Sequence, residues 1–207
     1  YARRHSNIDS TRIYLIGSSG GGYTVLMMLG KHPDIWADVS AWVPIVDLRS
    51  WYFQSAEAGR KYAQDIINSC GGKPGDSEHV DEEYRRRSPV TYLSRDIQTP
   101  VDINAGIHDG HNGSVPISHS IRAFNALAQP EDKIRQSQIE YFVDEQSVPG
   151  ELQSDISDSG YGENQPLFRR KSENTRLTIF DGGHEIIHQA AFSWLTEQQN
   201  NYGRSEQ

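Results

Sequence analysis

The feature that most limits how this chain can fold is a strand-like run, a glycine cluster and an apolar helical run that follow one another within residues 12–31. Residues 12–16 (RIYLI) are typical of a short buried strand. Residues 17–21 (GSSGG) then match G-x-S-x-G, and residues 23–31 are apolar almost all round, as in a helix packed inside an α/β layer. A serine nucleophile at a sharp strand-to-helix turn requires this context. We therefore predict a nucleophile elbow at Ser19, the alternative being a plain glycine-rich turn or phosphate cradle.

The rest of the chain continues the alternation of strands and helices. Further strands are predicted at residues 37–44, 100–106 and 176–180, and helices at residues 56–69, 115–128 and 185–198. This order predicts an α/β fold with a mostly parallel sheet covered by helices on both faces. The polar stretch at about 144–175 has no sustained periodicity, so we interpret it as an insertion in a single domain spanning residues 1–207.

Charge and composition exclude several classes of partner. The 207 residues include 20 Lys and Arg against 28 Asp and Glu, a net charge of -8, so no basic field attracts nucleic acid or anionic lipid. No window approaches the roughly 20 apolar residues of a membrane-spanning helix. The single cysteine, Cys70, cannot form an intramolecular disulfide. We expect no nucleic-acid or membrane partner, and the compartment stays open.

A serine nucleophile needs a base and an acid that orients it. In hydrolases with a nucleophile elbow, the chain order is Ser, then Asp or Glu, then His. Asp109 follows the third predicted strand and His184 follows the fourth, and open α/β sheets place their sites at the carboxyl ends of strands. Asp102 lies within a strand and Asp144 begins the polar stretch, so both are weaker candidates for the acid.

Further site residues follow from this placement. The N–H of Gly20, at the start of the helix, is predicted to stabilise an oxyanion. Three aromatic residues are predicted to contact the substrate, although core packing is an equally open interpretation of the run at 51–53: Tyr23, Trp51 and Tyr52. We predict no cofactor for this chemistry.

Two metal-binding alternatives compete with this assignment. Residues 184–188 (HEIIH) match H-E-x-x-H, which binds zinc when both histidines lie on one helix, but Gly182 and Gly183 favour a loop there. A second possible site consists of histidines near Asp109, which the intervening glycines place in a turn: His108, His111 and His119. We predict no metal at either place.

These residues resemble the catalytic domain of the prolyl oligopeptidase family of α/β-hydrolases. The resemblance runs from about residue 9 to residue 195 and rests on the following motifs: residues 17–23 (GSSGGGY), Val43-Pro44 with Asp47-Leu48, Ser88-Pro89, Gly106 with Asp109, and Gly183-His184. It implies that Ser19 is the nucleophile, Asp109 the acid and His184 the base. The family includes peptidases and acyl esterases, so the resemblance leaves the substrate open.

The beginning of the sequence departs from the family pattern. In this fold the first half of the sheet precedes the nucleophile strand, whereas only a few residues precede residue 12 here. We therefore expect the C-terminal half of the sheet, with the nucleophile strand as an uncovered apolar edge. From this we predict that the chain is part of a longer hydrolase or pairs at that edge in a homo-oligomer.

The function predicted from these features is hydrolysis of small-molecule carboxylic esters or peptides through an acyl-enzyme, with a lean towards a carboxylesterase. Three alternatives stay open. They are a prolyl oligopeptidase-like serine peptidase, a zinc-dependent hydrolase that uses residues 184–188, and a non-catalytic interaction fragment.

Overall fold

The structure is a computed structural model that describes residues 7–9 and 11–202, with side chains to residue 197. Its strands are β1 (Tyr14–Ser18), β2 (Asp38–Trp42), β3 (Val101–Gly106), β4 (Pro166–Ser172) and β5 (Thr175–Phe180). Its α-helices are α1 (Gly20–Lys31), α2 (Leu48–Glu57), α3 (Tyr62–Cys70), α4 (Glu78–Arg86), α5 (Ser118–Leu127), α6 (Gln136–Glu145) and α7 (His188–Tyr202). Strands and helices thus alternate through much of the chain, as the sequence predicts.

The five strands form one sheet in the order β1-β2-β3-β5-β4. The first four strands in that order are parallel, and β4 runs antiparallel to β5 at the far edge. In the described part of the chain β1 is the other edge, and Ile16 on it is 38% exposed. This agrees with the predicted edge position of the nucleophile strand.

The two faces of the sheet differ in chemistry because polar and apolar residues alternate along its central strands. One face carries the main apolar core beneath α1 and α5: Val39, Ala41, Val101, Ile103, Leu177 and Ile179. The opposite face carries buried polar side chains: Asp38, Ser40, Asp102, Asn104, Arg176 and Thr178. Helix α7 covers this polar face, where Trp194 Nε1 donates to Asp38 Oδ1 at 2.8 Å. Helices therefore cover both faces, as predicted.

The structure corrects several predicted boundaries. The helix predicted at 56–69 is divided between α2 and α3 by a turn with Gly59 at φ +62°. Helix α7 begins at His188 rather than at residue 185, and α4 and α6 were not predicted. The polar stretch at 144–175 contains β4, which its polar sequence does not indicate. This strand forms by pairing with β5.

Among the described residues, no helix is long and apolar enough to cross a membrane.

Candidate active site

Ser19 lies at the sharp turn between β1 and α1 and has a strained backbone. Its φ is 56° and its ψ is -119°, a conformation that is uncommon for a residue with a side chain. The turn is tight enough that a Cβ on Gly17 would lie 2.5 Å from the carbonyl group of Gly21. Only glycine fits at that position, which explains why the sequence places it two residues before Ser19.

The side chain of Ser19 points away from the helix that it precedes. Serine at such a position commonly caps the first turn, but here its side chain makes no capping hydrogen bond. Instead the Ser19 hydroxyl lies 2.8 Å from Nε2 of His184. The strained backbone therefore aims this hydroxyl at an imidazole.

Parallel pairing of β3 with β5 brings Asp109 and His184 together. The loops that follow these strands are joined by backbone hydrogen bonds, such as His108 N to Gly182 O at 3.0 Å. His184 Nδ1 donates to Asp109 Oδ2 at 2.8 Å. Asp109 is only 2% exposed, whereas the His184 side chain is 22% exposed. The carboxylate is thus enclosed, while the imidazole faces the outside.

This geometry fixes the proton positions needed for chemistry. Because Asp109 accepts from Nδ1–H, the neutral imidazole of His184 has its lone pair on Nε2, where it accepts from the Ser19 hydroxyl. The three side chains form one hydrogen-bonded series from hydroxyl to carboxylate. Gly20 is the first residue of α1, so its N–H belongs to the first helical turn, where such groups lack an intrahelical acceptor.

The second carboxylate oxygen of Asp109 is held by the loop that follows it. Val115 N donates to Asp109 Oδ1 at 3.3 Å. The loop folds back so closely that a Cβ on Gly113 would lie 2.1 Å from Asp109 Oδ1 and 2.6 Å from His184 Cβ. The residues between Asp109 and Val115 thus enclose the carboxylate.

The aromatic residues predicted to contact substrate lie in different environments. Tyr52 is 8% exposed and packs edge-on to Tyr84 in the core, and its substrate contact stays a prediction. Tyr23 is half-buried, and its hydroxyl donates to the Arg87 carbonyl at 2.7 Å. Trp51 is half-buried as well. Substrate contact by Tyr23 and Trp51 stays a prediction.

Sequence reasoning missed the groups that hold the loop after Asp109. Trp51 Nε1 donates to the Ser114 carbonyl at 3.1 Å, and Arg60 donates to the carbonyls of Ser114 and Gly110. Arg60 lies in a polar stretch that matches no motif, so no sequence signal marked it.

The H-E-x-x-H match does not form a helical zinc motif. His184 lies in the loop before α7, while His188 is the exposed first residue of that helix. Glu185 between them accepts a hydrogen bond from Gly183 N at 3.0 Å. The two histidines therefore do not lie one turn apart on one helix, as the motif requires.

The histidines near Asp109 are separately engaged. His111 Nε2 donates to the Val143 carbonyl, and His108 Nδ1 contacts Gln146 Oε1 at 3.0 Å. Burial lowers the pKa of His119 to about 3, and this neutral ring accepts from Val46 N. In the described part of the chain, no three His, Cys, Asp or Glu side chains are grouped so as to hold a metal ion.

The parallel sheet, the covering helices and the serine at the β1–α1 turn define an α/β-hydrolase. The sequence model of the prolyl oligopeptidase family matches residues 1–147, which is more than half of the chain. The chain therefore belongs to the prolyl oligopeptidase family, a family of serine hydrolases.

Individual relatives agree with this membership. The acylamino-acid-releasing enzyme of Mus musculus is 24% identical over 133 residues, which are 60% of this chain and 16% of that protein. The match to the crystal structure of puromycin hydrolase covers 97% of this chain and 23% of the puromycin hydrolase chain, with 18% identity and a TM-score of 0.58. The match to the uncomplexed acylaminoacyl peptidase of Pyrococcus horikoshii covers 88% of this chain and 21% of the peptidase chain, with 17% identity and a TM-score of 0.52. The chain thus spans about a fifth of the length of these proteins, and the structural likeness shows the fold.

Proposed function

We propose that this chain hydrolyses peptide and carboxylic ester bonds through an acyl-enzyme on Ser19, with His184 as the base and Asp109 as the acid that orients it. The observation that carries the proposal is the continuous hydrogen-bonded series Ser19–His184–Asp109, with 2.8 Å at each contact. The strained backbone of Ser19 supports it, since strain of this kind clusters at functional sites.

The chemistry has two stages. In the first, His184 Nε2 takes the proton of the Ser19 hydroxyl while Oγ attacks the substrate carbonyl carbon, and the carbonyl electron pair moves to oxygen. The Gly20 N–H stabilises this oxyanion. The imidazolium then gives its proton to the leaving amine or alkoxide as the bond to carbon breaks. In the second stage, water attacks the acyl-enzyme by the same route and releases the acid and Ser19.

Asp109 stays ionised throughout this cycle. Its carboxylate holds the ring of His184 in the orientation and tautomer that presents Nε2 to Ser19, and it stabilises the imidazolium. Burial of the carboxylate strengthens both effects, because water screens the interaction less.

Family membership directs the substrate proposal towards peptides. The relatives named above are an acylamino-acid-releasing enzyme, an acylaminoacyl peptidase and a puromycin hydrolase, which supports an amide bond in a short substrate as the bond cleaved. We still expect short esters to be turned over faster than anilides. An aryl ester has a better leaving group than an anilide and needs no proton on an amine, so we expect faster turnover of the ester.

Two further parts of this proposal concern organisation. We treat residues 1–207 as one hydrolase domain, and we expect the exposed edge at β1 to pair with another strand, from a longer protein or from a second copy. Light scattering on the purified chain measures whether it pairs with a second copy. A stable, fully active monomer would contradict edge pairing.

The experiment that tests the function compares Ser19→Ala with Ser18→Ala, a matched control at the neighbouring serine of β1. Both are assayed with a short-chain acetyl aryl ester and a prolyl anilide. We expect Ser19→Ala to lower kcat on both substrates by on the order of 10⁶, and Ser18→Ala to keep near wild-type turnover. A Ser19→Ala variant with more than about a tenth of wild-type kcat would show that Ser19 is not the nucleophile, since a tenfold change is only about 1.4 kcal/mol of barrier.

A further inference from the structure

The carboxylate of Asp109 depends on a peptide group that lies outside any helix or strand. One carboxylate oxygen accepts from His184, and the other accepts from the N–H of Val115. Residues 110–114, which lead to that N–H, form a turn-rich loop. The orientation of the Ser114–Val115 peptide therefore decides whether Asp109 keeps its second hydrogen bond.

The opposite end of the same peptide group is held by side chains from the α2–α3 region. The Ser114 carbonyl accepts from Trp51 Nε1 at 3.1 Å and from Arg60 Nη1 at 3.3 Å. In a trans peptide the C=O and the following N–H point in opposite directions. Fixing the Ser114 oxygen on one side thus directs the Val115 N–H towards Asp109 on the other.

Arg60 also holds the start of the loop. Its Nη2 donates to the Gly110 carbonyl at 2.8 Å, so one guanidinium bridges the first and last residues of the segment 110–114. The planar fork of arginine suits two acceptors at once, which a lysine ammonium matches poorly. The backbone N–H of Arg60 donates to the Ser55 carbonyl at 2.8 Å, which fixes this residue at the end of α2.

Arg60 and Asp109 also line one cavity of about 320 Å³, together with the ionisable side chains of Glu57 and His111. Arg60 is half-buried there, so its positive charge is screened less than that of a fully exposed side chain.

From these contacts we propose that Arg60, assisted by Trp51, is a positioning residue for Asp109. It fixes the Ser114–Val115 peptide so that its N–H binds the carboxylate, and thereby keeps Asp109 aligned with His184. The inference rests on the proposed function, because it gives Asp109 the role of the acid.

The test measures kcat and KM for four variants in the full chain, with the acetyl aryl ester as substrate. Arg60→Met removes both the clamp and the charge. Arg60→Lys keeps the charge, and Trp51→Phe removes one donor without changing charge. Arg122→Met is the matched control, since Arg122 is also half-buried but donates to Ser50 Oγ on α2. Thermal melts and circular dichroism establish that each variant is folded.

For Arg60→Met we expect kcat to fall by about 10- to 100-fold with KM unchanged, as for a small misplacement of a catalytic group. Arg60→Lys should restore only part of kcat, Trp51→Phe should lower kcat, and Arg122→Met should match wild type.

A folded Arg60→Met variant with wild-type kcat overturns the proposal. So does a loss that appears only in KM or thermal stability. Failure of the proposed function gives a different result, namely a Ser19→Ala variant that keeps its activity. If Ser19→Ala is inactive and Arg60→Met is unchanged, only the positioning role is wrong.

Discussion

Two buried carboxylates, one within β3 and one in the loop that follows it, each bind a basic side chain at 2.8 Å. Asp109 lies in a loop beyond the end of β3 and binds His184, which is partly exposed and contacts Ser19. Asp102 lies within β3 and binds Arg176 on β5, and both are buried beneath α7. The same type of contact thus occurs beyond the carboxyl ends of the strands and in the interior of the sheet.

The difference between the two pairs is the freedom to exchange a proton. Arginine keeps its charge at any ordinary pH, so the pair formed by Asp102 and Arg176 only contributes to the fold. Histidine changes charge near neutral pH and here faces both a hydroxyl and the outside. We propose that a position at the carboxyl end of a strand, beside an imidazole that contacts Ser19, gives Asp109 its role of orienting His184.

The interior pair belongs to a larger buried polar network. Asp102 Oδ2 also accepts from Asn104 Nδ2 at 2.7 Å and from Ser40 Oγ, which in turn accepts from Trp42 Nε1. The Arg176 guanidinium lies over the ring of Trp194 on α7. Each polar group of this set has a partner, which is the condition for burying it at moderate cost.

We expect the largest loss of kcat for Asp109→Asn. The asparagine amide favours the wrong tautomer of His184, so we expect kcat to fall by about 10⁴ with little loss of stability. Asp102→Asn, the matched interior substitution, should keep the kcat of the folded fraction. Steady-state kinetics on folded protein separate the two, and equal losses of kcat would show that the two carboxylates do not differ in role.

We expect the free energy of unfolding to fall more in Asp102→Asn than in Asp109→Asn. Asp102→Asn leaves Arg176 buried without its counter-charge, which costs about 3 to 5 kcal/mol when a buried pair is broken. Urea unfolding followed by circular dichroism measures this loss. A free energy of unfolding within about 0.5 kcal/mol of wild type, the range of ordinary surface substitutions, would mean that Asp102 is not a structural residue.

A third carboxylate on the polar face, Asp38, predicts a pH dependence of stability. Burial raises its pKa to about 7 from an ordinary 3.8, with nearby Asp102 adding to the effect. Its Oδ2 has no hydrogen-bond partner among the described residues, as suits a carboxyl that holds a proton. The native state therefore binds a proton that the unfolded state releases between about pH 4 and pH 7.

The contribution of Asp38 to stability is thus fully present below about pH 4 and is lost as the pH rises to about 7. Within that window its slope is up to about 1.4 kcal/mol per pH unit. Asp38→Asn should change the slope of the wild type by this amount, whereas Asp34→Asn, at an exposed position, should keep the wild-type slope. Urea titrations from pH 4 to pH 8 measure the slopes, and a wild-type slope in Asp38→Asn would be evidence against a protonated Asp38.

The smallest effect is expected at His188. This residue is exposed and lies outside the hydrogen-bonded series of Ser19, so His188→Ala should change kcat less than twofold and stability by less than about 0.5 kcal/mol. Activity should also survive EDTA. Loss of activity with EDTA that zinc restores, together with an inactive His188→Ala, would favour the zinc-dependent alternative.

Sequence reasoning reached the fold and the three side chains of the series because each has a local signal. Glycines mark the turn at Ser19, and strand ends mark Asp109 and His184. The polar face was not foreseen, since residues such as Ser40 and Asn104 alternate along strands as solvent-facing residues do, and only α7 decides that they are buried. Arg60 was missed for a related reason, because its contacts are with backbone carbonyls distant in sequence.

The central claim is that His184 and Asp109 activate Ser19. Labelling with a serine-directed fluorophosphonate, followed by mapping of the modified peptide by mass spectrometry, tests it most directly. We predict one adduct per chain, on Ser19, formed at the wild-type rate by folded Asp102→Asn and far more slowly by Asp109→Asn. An adduct on Ser18, or a folded wild-type chain that takes up no label, would contradict the account.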